Sequence, residues 1–249
     1  MPPESLAPAA APSGARFATT RWSIIAAARE GATTEADEAL EALCRTYWYP
    51  LYAYTRRAGH PAADAQDLTQ AFFARLLEKD WLRDARPGLG RFRSFLLVAL
   101  KRFLAKEWRR ENARKRGGGL GFVALDADEA ESRYAVEPAL GPDEVFERRW
   151  ALTVLDRALA ALAEEYRGAE RAAEFETLKG HLTAPRGEID YDATAAALGM
   201  SAGAARVAVH RLRKRFREAL RAEIAETVAA PGELDAELAH FVKILSARA

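Results

Sequence analysis

The chain has 249 residues and a mass of 27.4 kDa, which fits two modest domains better than one. Hydrophobic residues at 49% and aromatic residues at 9% exclude a fibrous or wholly disordered protein, and 37 Lys and Arg against 36 Asp and Glu leave a net charge of +1 that favours no class of partner. Cys44 is the only cysteine, which excludes an intrachain disulfide and a cysteine-rich zinc site.

Residues 1–18 are rich in Ala, Pro and Ser without periodicity and are expected to form a disordered arm. They lack the basic-then-apolar order of a leader, and no apolar run approaches the roughly 18 residues of a membrane span. A cytoplasmic location is therefore expected. A short helix with Trp22, Ile24 and Ile25 opens the ordered sequence. A stronger helix over about 35–58 places Leu40, Leu43, Cys44, Tyr47, Leu51 and Tyr54 on one stripe. Pro50 within it predicts a kink or break near Tyr49, and the position of Cys44 on the stripe predicts a core thiol.

Gly59-His60-Pro61 then interrupts the chain, and proline suits the first turn of the next helix. Asp64 and Asp67 lie early in that helix, where carboxylates complement the N-terminal dipole. Leu68, Phe72, Leu76 and Leu77 form its apolar face. After the Pro-Gly loop 86–90 comes a helix over about 91–112 with Phe92, Phe95, Leu96, Ala99, Leu100, Phe103 and Leu104 on one side. Periodicity stops at Gly117-Gly118-Gly119 and returns after Gly141-Pro142 with Trp150, Val154, Leu155, Ala158, Leu159 and Leu162, then Phe175, Leu178 and Leu182. A last amphipathic segment after Pro231-Gly232 carries Leu234, Leu238, Phe241, Val242 and Leu245. No segment alternates as a strand would. The predicted fold is all-α: a disordered arm (1–18), a helical domain (19–116), a flexible acidic linker (117–143), a second helical domain (144–222) and a C-terminal helical extension (223–249).

Local charge reverses the impression left by the total. Residues 91–116 hold ten basic and two acidic side chains, and 206–221 hold seven basic and one acidic. Between them 124–147 hold eight acidic and one basic. Two basic helices, each with an apolar face opposite, are thus separated by an acidic tether, a pattern that points to nucleic acid. In the first, Arg102, Lys106, Arg109 and Arg110 form a ridge beside Lys101 and Trp108. Such a ridge can track phosphates, and an adjacent aromatic can stack on an unpaired base. The spacing of Trp108 from Leu104 equally suits a place at the edge of the core.

The second basic run follows a helix, a tight turn and a helix over 191–216. Asp192 is expected to cap the first, Gly199 to end it in a left-handed conformation, and Ser201 to cap the second. Ala205, Val209, Leu212 and Phe216 then form the buried stripe, with Arg206, His210, Arg213 and Arg217 on a parallel exposed one that could enter a major groove. His210 suits a phosphate or base edge, since His60, His181 and His240 are far from it in sequence and form no ligand motif with it.

Three segments together resemble the extracytoplasmic-function (ECF) sigma factors of bacterial RNA polymerase: DAQDLTQAFFARL (64–76), FRSFLLVALKRFLAKEWRR (92–110) and GMSAGAARVAVHRLR (199–213). They stand in the family's order and spacing, and the match that they anchor covers roughly two thirds of the chain. The resemblance implies a sigma region 2-like domain followed by a helix-turn-helix region 4-like domain, acting with polymerase core on promoter DNA. It assigns Asp64, Asp67, Gln70, Phe73 and Arg75 to core-polymerase binding, at or beneath the contact, with Asp67 and Gln70 touching it directly. Lys101, Arg102, Lys106, Trp108, Arg109 and Arg110 are assigned to the minus-ten element. Ser201, Arg206, Val207, His210, Arg211, Arg213 and Lys214 are assigned to the minus-thirty-five element. Ala208 stands where the family commonly has a basic residue, and Arg102 where it often has Asn, so the promoter sequence does not follow. An anti-sigma factor or other regulator is left open as a further partner.

No catalytic residue, metal or cofactor is expected. A regulator acting without polymerase would account for the C-terminal half but leave 64–76 and the first basic helix without a purpose. Asp64 and Asp67 as metal ligands lack a second acidic cluster, and the helix dipole already explains them. Fully extended, residues 117–143 reach about 90 Å. Their acidity suits either an inert spacer or, by the resemblance, a polyanion mimic in the polymerase channel.

Overall fold

The computed structural model describes residues 34–78, 91–114, 131, 133–134, 140–228 and 231–246. The arm 1–18, the short helix expected around Trp22, the loop 86–90 and the glycine run 117–119 lie outside them. The described elements are all helical: α1 (Thr34–Arg57), α2 (Ala62–Glu78), α3 (Phe92–Arg114), α4 (Pro142–Gly168), α5 (Ala172–Leu178), α6 (Tyr191–Leu198), α7 (Ala202–Ala225) and α8 (Leu234–Ser246).

Periodicity becomes burial along most predicted stripes. Tyr47, Leu51 and Tyr54 of α1, Phe72 and Leu76 of α2, and Leu96, Leu100, Phe103 and Leu104 of α3 lie in one cluster. Of the kink or break expected near Tyr49, the break does not occur: α1 runs through Pro50. An interior proline costs a helix about 3 kcal/mol. Here Pro50 is itself buried, and three flanking core side chains, each worth about 1.5–3 kcal/mol on burial, offset that cost. Gly59, at φ +103°, turns the chain from α1 into α2, a backbone region that a Cβ would strain. Burial, with Glu41 adding, pushes the Cys44 thiol up to about 11, so it is a packed, unreactive thiol at neutral pH.

The same cluster extends past the acidic segment. Phe146, Trp150, Ala151 and Val154 of α4, Ile224 of α7 and Phe241 of α8 belong to it. Helix α4 packs along α1 and against α7. A second cluster, built on Leu162, Tyr166, Phe175, Leu178, Ile189, Val209 and Leu212, supports the helix-turn-helix. On α8, Phe241 is buried while Val242 is exposed, because neighbours about 100° apart on a helix cannot share a narrow seam.

A charged network crosses the larger cluster. Arg93 of α3 is 2% exposed and Glu237 of α8 is 1% exposed, and the two are paired. Arg93 Nε also reaches Glu147 of α4 at 2.9 Å, Arg91 reaches Glu237 at 2.7 Å, and His240 Nε2 lies 3.0 Å from Glu147. The Arg93 guanidinium lies 4.3 Å from the Trp150 ring centroid, and Phe241 meets that ring edge-on at 6.2 Å. Burial pushes Arg93 below its ordinary value, opposed by Glu147, yet a guanidinium stays charged throughout the physiological range.

Part of the acidic segment is docked. Glu131 accepts hydrogen bonds from Tyr52 (2.6 Å) and Arg56 (2.9 and 2.5 Å), while Arg56 and Arg57 lie over the Tyr134 ring. The hydrogen bond from Arg56 is the main reason that the Glu131 carboxyl sits below the ordinary carboxylate range. A depressed folded-state value gives stability that is present above the free value of about 4.3 and is lost as pH falls through the folded one. Acidification below about pH 4 should therefore free this clip, read as faster amide exchange at Arg133 and Tyr134 after correction for intrinsic rates. Protection that stays unchanged on acidification until the whole fold is lost would show that the carboxylate charge does not hold it.

Candidate nucleic-acid interface

The helix-turn-helix is fixed by three local devices. Asp190, rather than the expected Asp192, caps α6: its Oδ1 accepts from the amides of Asp192 (3.1 Å) and Ala193 (2.9 Å). The helix begins two residues earlier than its sequence suggests, which puts Asp192 inside the first turn. Gly199 ends α6 at φ +63°, with Met200 N–H donating back to the Ala195 carbonyl, the left-handed stop the sequence predicts. Ser201 caps α7 through its hydroxyl, which accepts from Ala204 N–H at 3.2 Å.

On α7, Ala205, Val209 and Leu212 are buried, and Arg206, Val207, His210, Arg211 and Lys214 are exposed. The Arg206 guanidinium lies 4.9 Å from the Tyr191 ring centroid, which limits its rotamers before any ligand arrives. Arg213 differs from the other predicted contacts. Its Nε and Nη2 donate to the His181 carbonyl at 2.9 and 2.6 Å, and Nη2 also to Ala184 O at 2.5 Å. That ties α7 to the short 3-10 turn Lys179–Leu182. The turn is fixed from its other side as well: Thr194 Oγ1 donates to Asp190 O, so it accepts from His181 Nε2 at 3.0 Å, which places that proton on Nε2.

On α3, Arg102, Lys106, Arg109 and Arg110 are exposed along the face opposite Leu96, Leu100 and Leu104, and Trp108, one turn beyond Leu104 on the apolar side, is exposed past the end of the core. Trp108, 63% exposed, has no place in the core. Arg110 pairs with Glu107 on the same helix at 3.1 Å, and Lys101 is engaged from another helix. Its Nζ lies 2.7 Å from Asp143 at the start of α4, and that carboxylate raises the ammonium above its ordinary value.

The predicted polymerase-facing helix divides by exposure. Asp64 and Asp67 are exposed and Gln70 is half-buried, whereas Phe73 is 6% exposed within the core cluster. Arg75 turns inward over the Phe103 ring and pairs with Glu107 of α3 at 2.7 Å. Phe73 and Arg75 thus join α2 to α3 beneath the exposed acids. Sequence reasoning missed Arg91, Arg93, Glu147, Glu237 and His240, and with them Glu131 and Tyr134. Among the described residues no group of three or more His, Cys, Asp and Glu side chains is placed to hold a metal ion, and no helix is long and apolar enough to cross a membrane.

A chain whose described elements are all helical, with a capped helix-turn-helix and a second exposed basic helix, is a DNA-binding regulatory protein. It belongs to the ECF sigma factor family, whose model matches residues 24–222. Its function is accordingly that of an RNA polymerase sigma factor in transcription initiation, and the partners the family implies are polymerase core and promoter DNA. Such proteins are regulatory factors and not enzymes. No curated protein and no solved structure matches the chain.

Proposed function

We propose that the chain is a dissociable, cytoplasmic promoter-specificity subunit that contributes DNA contacts and leaves catalysis to polymerase. The observation that carries the assignment of its surfaces is the exposed ridge on α3, where four basic side chains face solvent opposite an apolar, buried side and Trp108 is exposed at the end of that apolar stripe. In this scheme Arg102, Lys106, Trp108, Arg109 and Arg110 take the minus-ten element. Arg206, Val207, His210, Arg211 and Lys214 take the minus-thirty-five element, and Asp64, Asp67 and Gln70 take polymerase core. Ser201 and Arg213 position α7, Phe73 and Arg75 position α2, and Lys101 reaches DNA once Asp143 lets it go. The units carrying these surfaces are residues 19–116 and 144–222.

Reconstituted transcription tests the division. Arg206→Ala should weaken initiation on promoters that need the upstream element while leaving core binding intact, and Asp67→Ala should weaken core binding with promoter preference unchanged. Equal loss of core binding in both variants would overturn the assignment.

A further inference from the structure

Helix α8 lies beyond residues 24–222, the part the family model matches, yet it is built into the centre of the molecule. Phe241 stands against Trp150 of α4, and Glu237 is enclosed with Arg93 of α3. Half-buried Leu234, Leu238 and Leu245 pack against the same cluster, and Arg221 near the end of α7 pairs with Asp235 at 2.8 Å. One short helix thus touches the helix assigned to the minus-ten element, the helix that opens the second half, and the helix assigned to the minus-thirty-five element.

That arrangement limits how far apart the two readers can stand. Arg206 and Ile224 are eighteen residues apart on α7, about 27 Å at 1.5 Å per residue. Ile224 is already inside the cluster that holds Leu104, and Arg109 lies about 8 Å further along α3. With about 30 Å for the breadth of a small domain, the two basic surfaces fall within about 65 Å of each other. Elements centred ten and thirty-five base pairs upstream of a start site are about 85 Å apart along B-DNA at 3.4 Å per step. The chain as folded is too short to span them, although its 117–143 segment could reach about 90 Å if released. Lys101 bears the same mark, since a side chain assigned to DNA is engaged by Asp143 of α4.

We propose that α8 is an intramolecular latch: through Phe241 on Trp150 and Glu237 on Arg93 and Arg91 it holds α3, α4 and α7 in one closed body that must open before both promoter elements are engaged. The nature of the contact suits a latch. A buried ion pair gives geometric specificity but little net stability, because desolvation of both charges offsets their attraction. A partner that binds only the separated halves can then shift the balance by its differential affinity. The distance argument rests on the minus-ten and minus-thirty-five assignments, whereas the closed state itself rests on the contacts of α8 alone.

The test is a distance measurement on the full chain. Dyes on Ala105→Cys and Ala197→Cys, both exposed positions, report the separation of the halves in a Cys44→Ala background that leaves no third thiol. The free protein should show a single distance below about 70 Å, lengthening by about 15 Å or more when core and promoter DNA are added. Glu237→Gln and Phe241→Ala should lengthen it without either partner and raise initiation several-fold at limiting protein. Far-UV circular dichroism identifies a variant that has simply unfolded, and the wild-type measurement needs no variant. An unchanged distance in the promoter complex, or well-folded latch variants that keep the closed distance, overturns the latch. Failure to bind core at all would instead count against the sigma surfaces, and the free-chain distances would still decide the latch.

Discussion

Replacing Arg93 by alanine is expected to cost the fold about 3–5 kcal/mol, the range for breaking a buried ion pair from one side. Three losses coincide at this position. Glu237, 1% exposed, keeps only Arg91, which is itself half-exposed. Glu147 keeps only His240, and Trp150 loses a desolvated guanidinium stacked on its face, an interaction worth up to about 2 kcal/mol. Against a total stability of about 5–15 kcal/mol this is a large fraction. The measurement is a urea midpoint followed by far-UV circular dichroism. The paired change Arg93→Met with Glu237→Leu should recover most of the loss, because it removes both charges and keeps apolar volume where they stood. A double variant as unstable as Arg93→Ala would mean that packing of the arginine stem, rather than an uncompensated charge, carries the effect.

The same network shows where sequence reading stops. Periodicity located the faces of α1, α2, α3, α4 and α7, since which side of a helix is apolar is written in that helix alone. The capping residues Gly199 and Ser201 were legible for the same reason, and Asp190 was displaced by two positions because two aspartates compete for one helix start. Arg93 and Glu237 are different. Arg93 sits on the stripe of Leu96 and Leu100, and Glu237 on the stripe of Leu234 and Phe241, so each is a charge where an apolar residue is expected. Two opposite charges misplaced on two apolar stripes are a visible signal. Their pairing is not visible, because it joins helices 144 positions apart in sequence. Arg213 and Arg206 cannot be separated by spacing at all. One is taken up by the His181 and Ala184 carbonyls only because a 3-10 turn delivers those oxygens, and such a turn leaves little trace in a pattern of apolar positions.

The exposed ridge on α3 gives the other large effect. Trp108→Ala should weaken binding of a single-stranded minus-ten oligonucleotide by about 1–3 kcal/mol, the cost of one lost base–aromatic stack, or roughly 5- to 150-fold in Kd. It should leave the unfolding midpoint within about 0.5 kcal/mol of wild type, because a side chain 63% exposed removes little buried surface. Trp108→Phe, which keeps an aromatic face, should retain most of the affinity. The neighbouring cations act by a different law. Changing Arg102, Lys106 and Arg109 together to alanine should lower the slope of log K against log salt by about 2 on single-stranded DNA, at about 0.7 per phosphate contact released. Stacking carries little salt dependence, so the tryptophan variant should keep the wild-type slope. If Trp108→Ala weakens duplex and single-stranded DNA equally, the ring is not stacking on an unpaired base. If the triple variant keeps its slope, the ridge is a solvated face and the minus-ten contact lies elsewhere on the molecule.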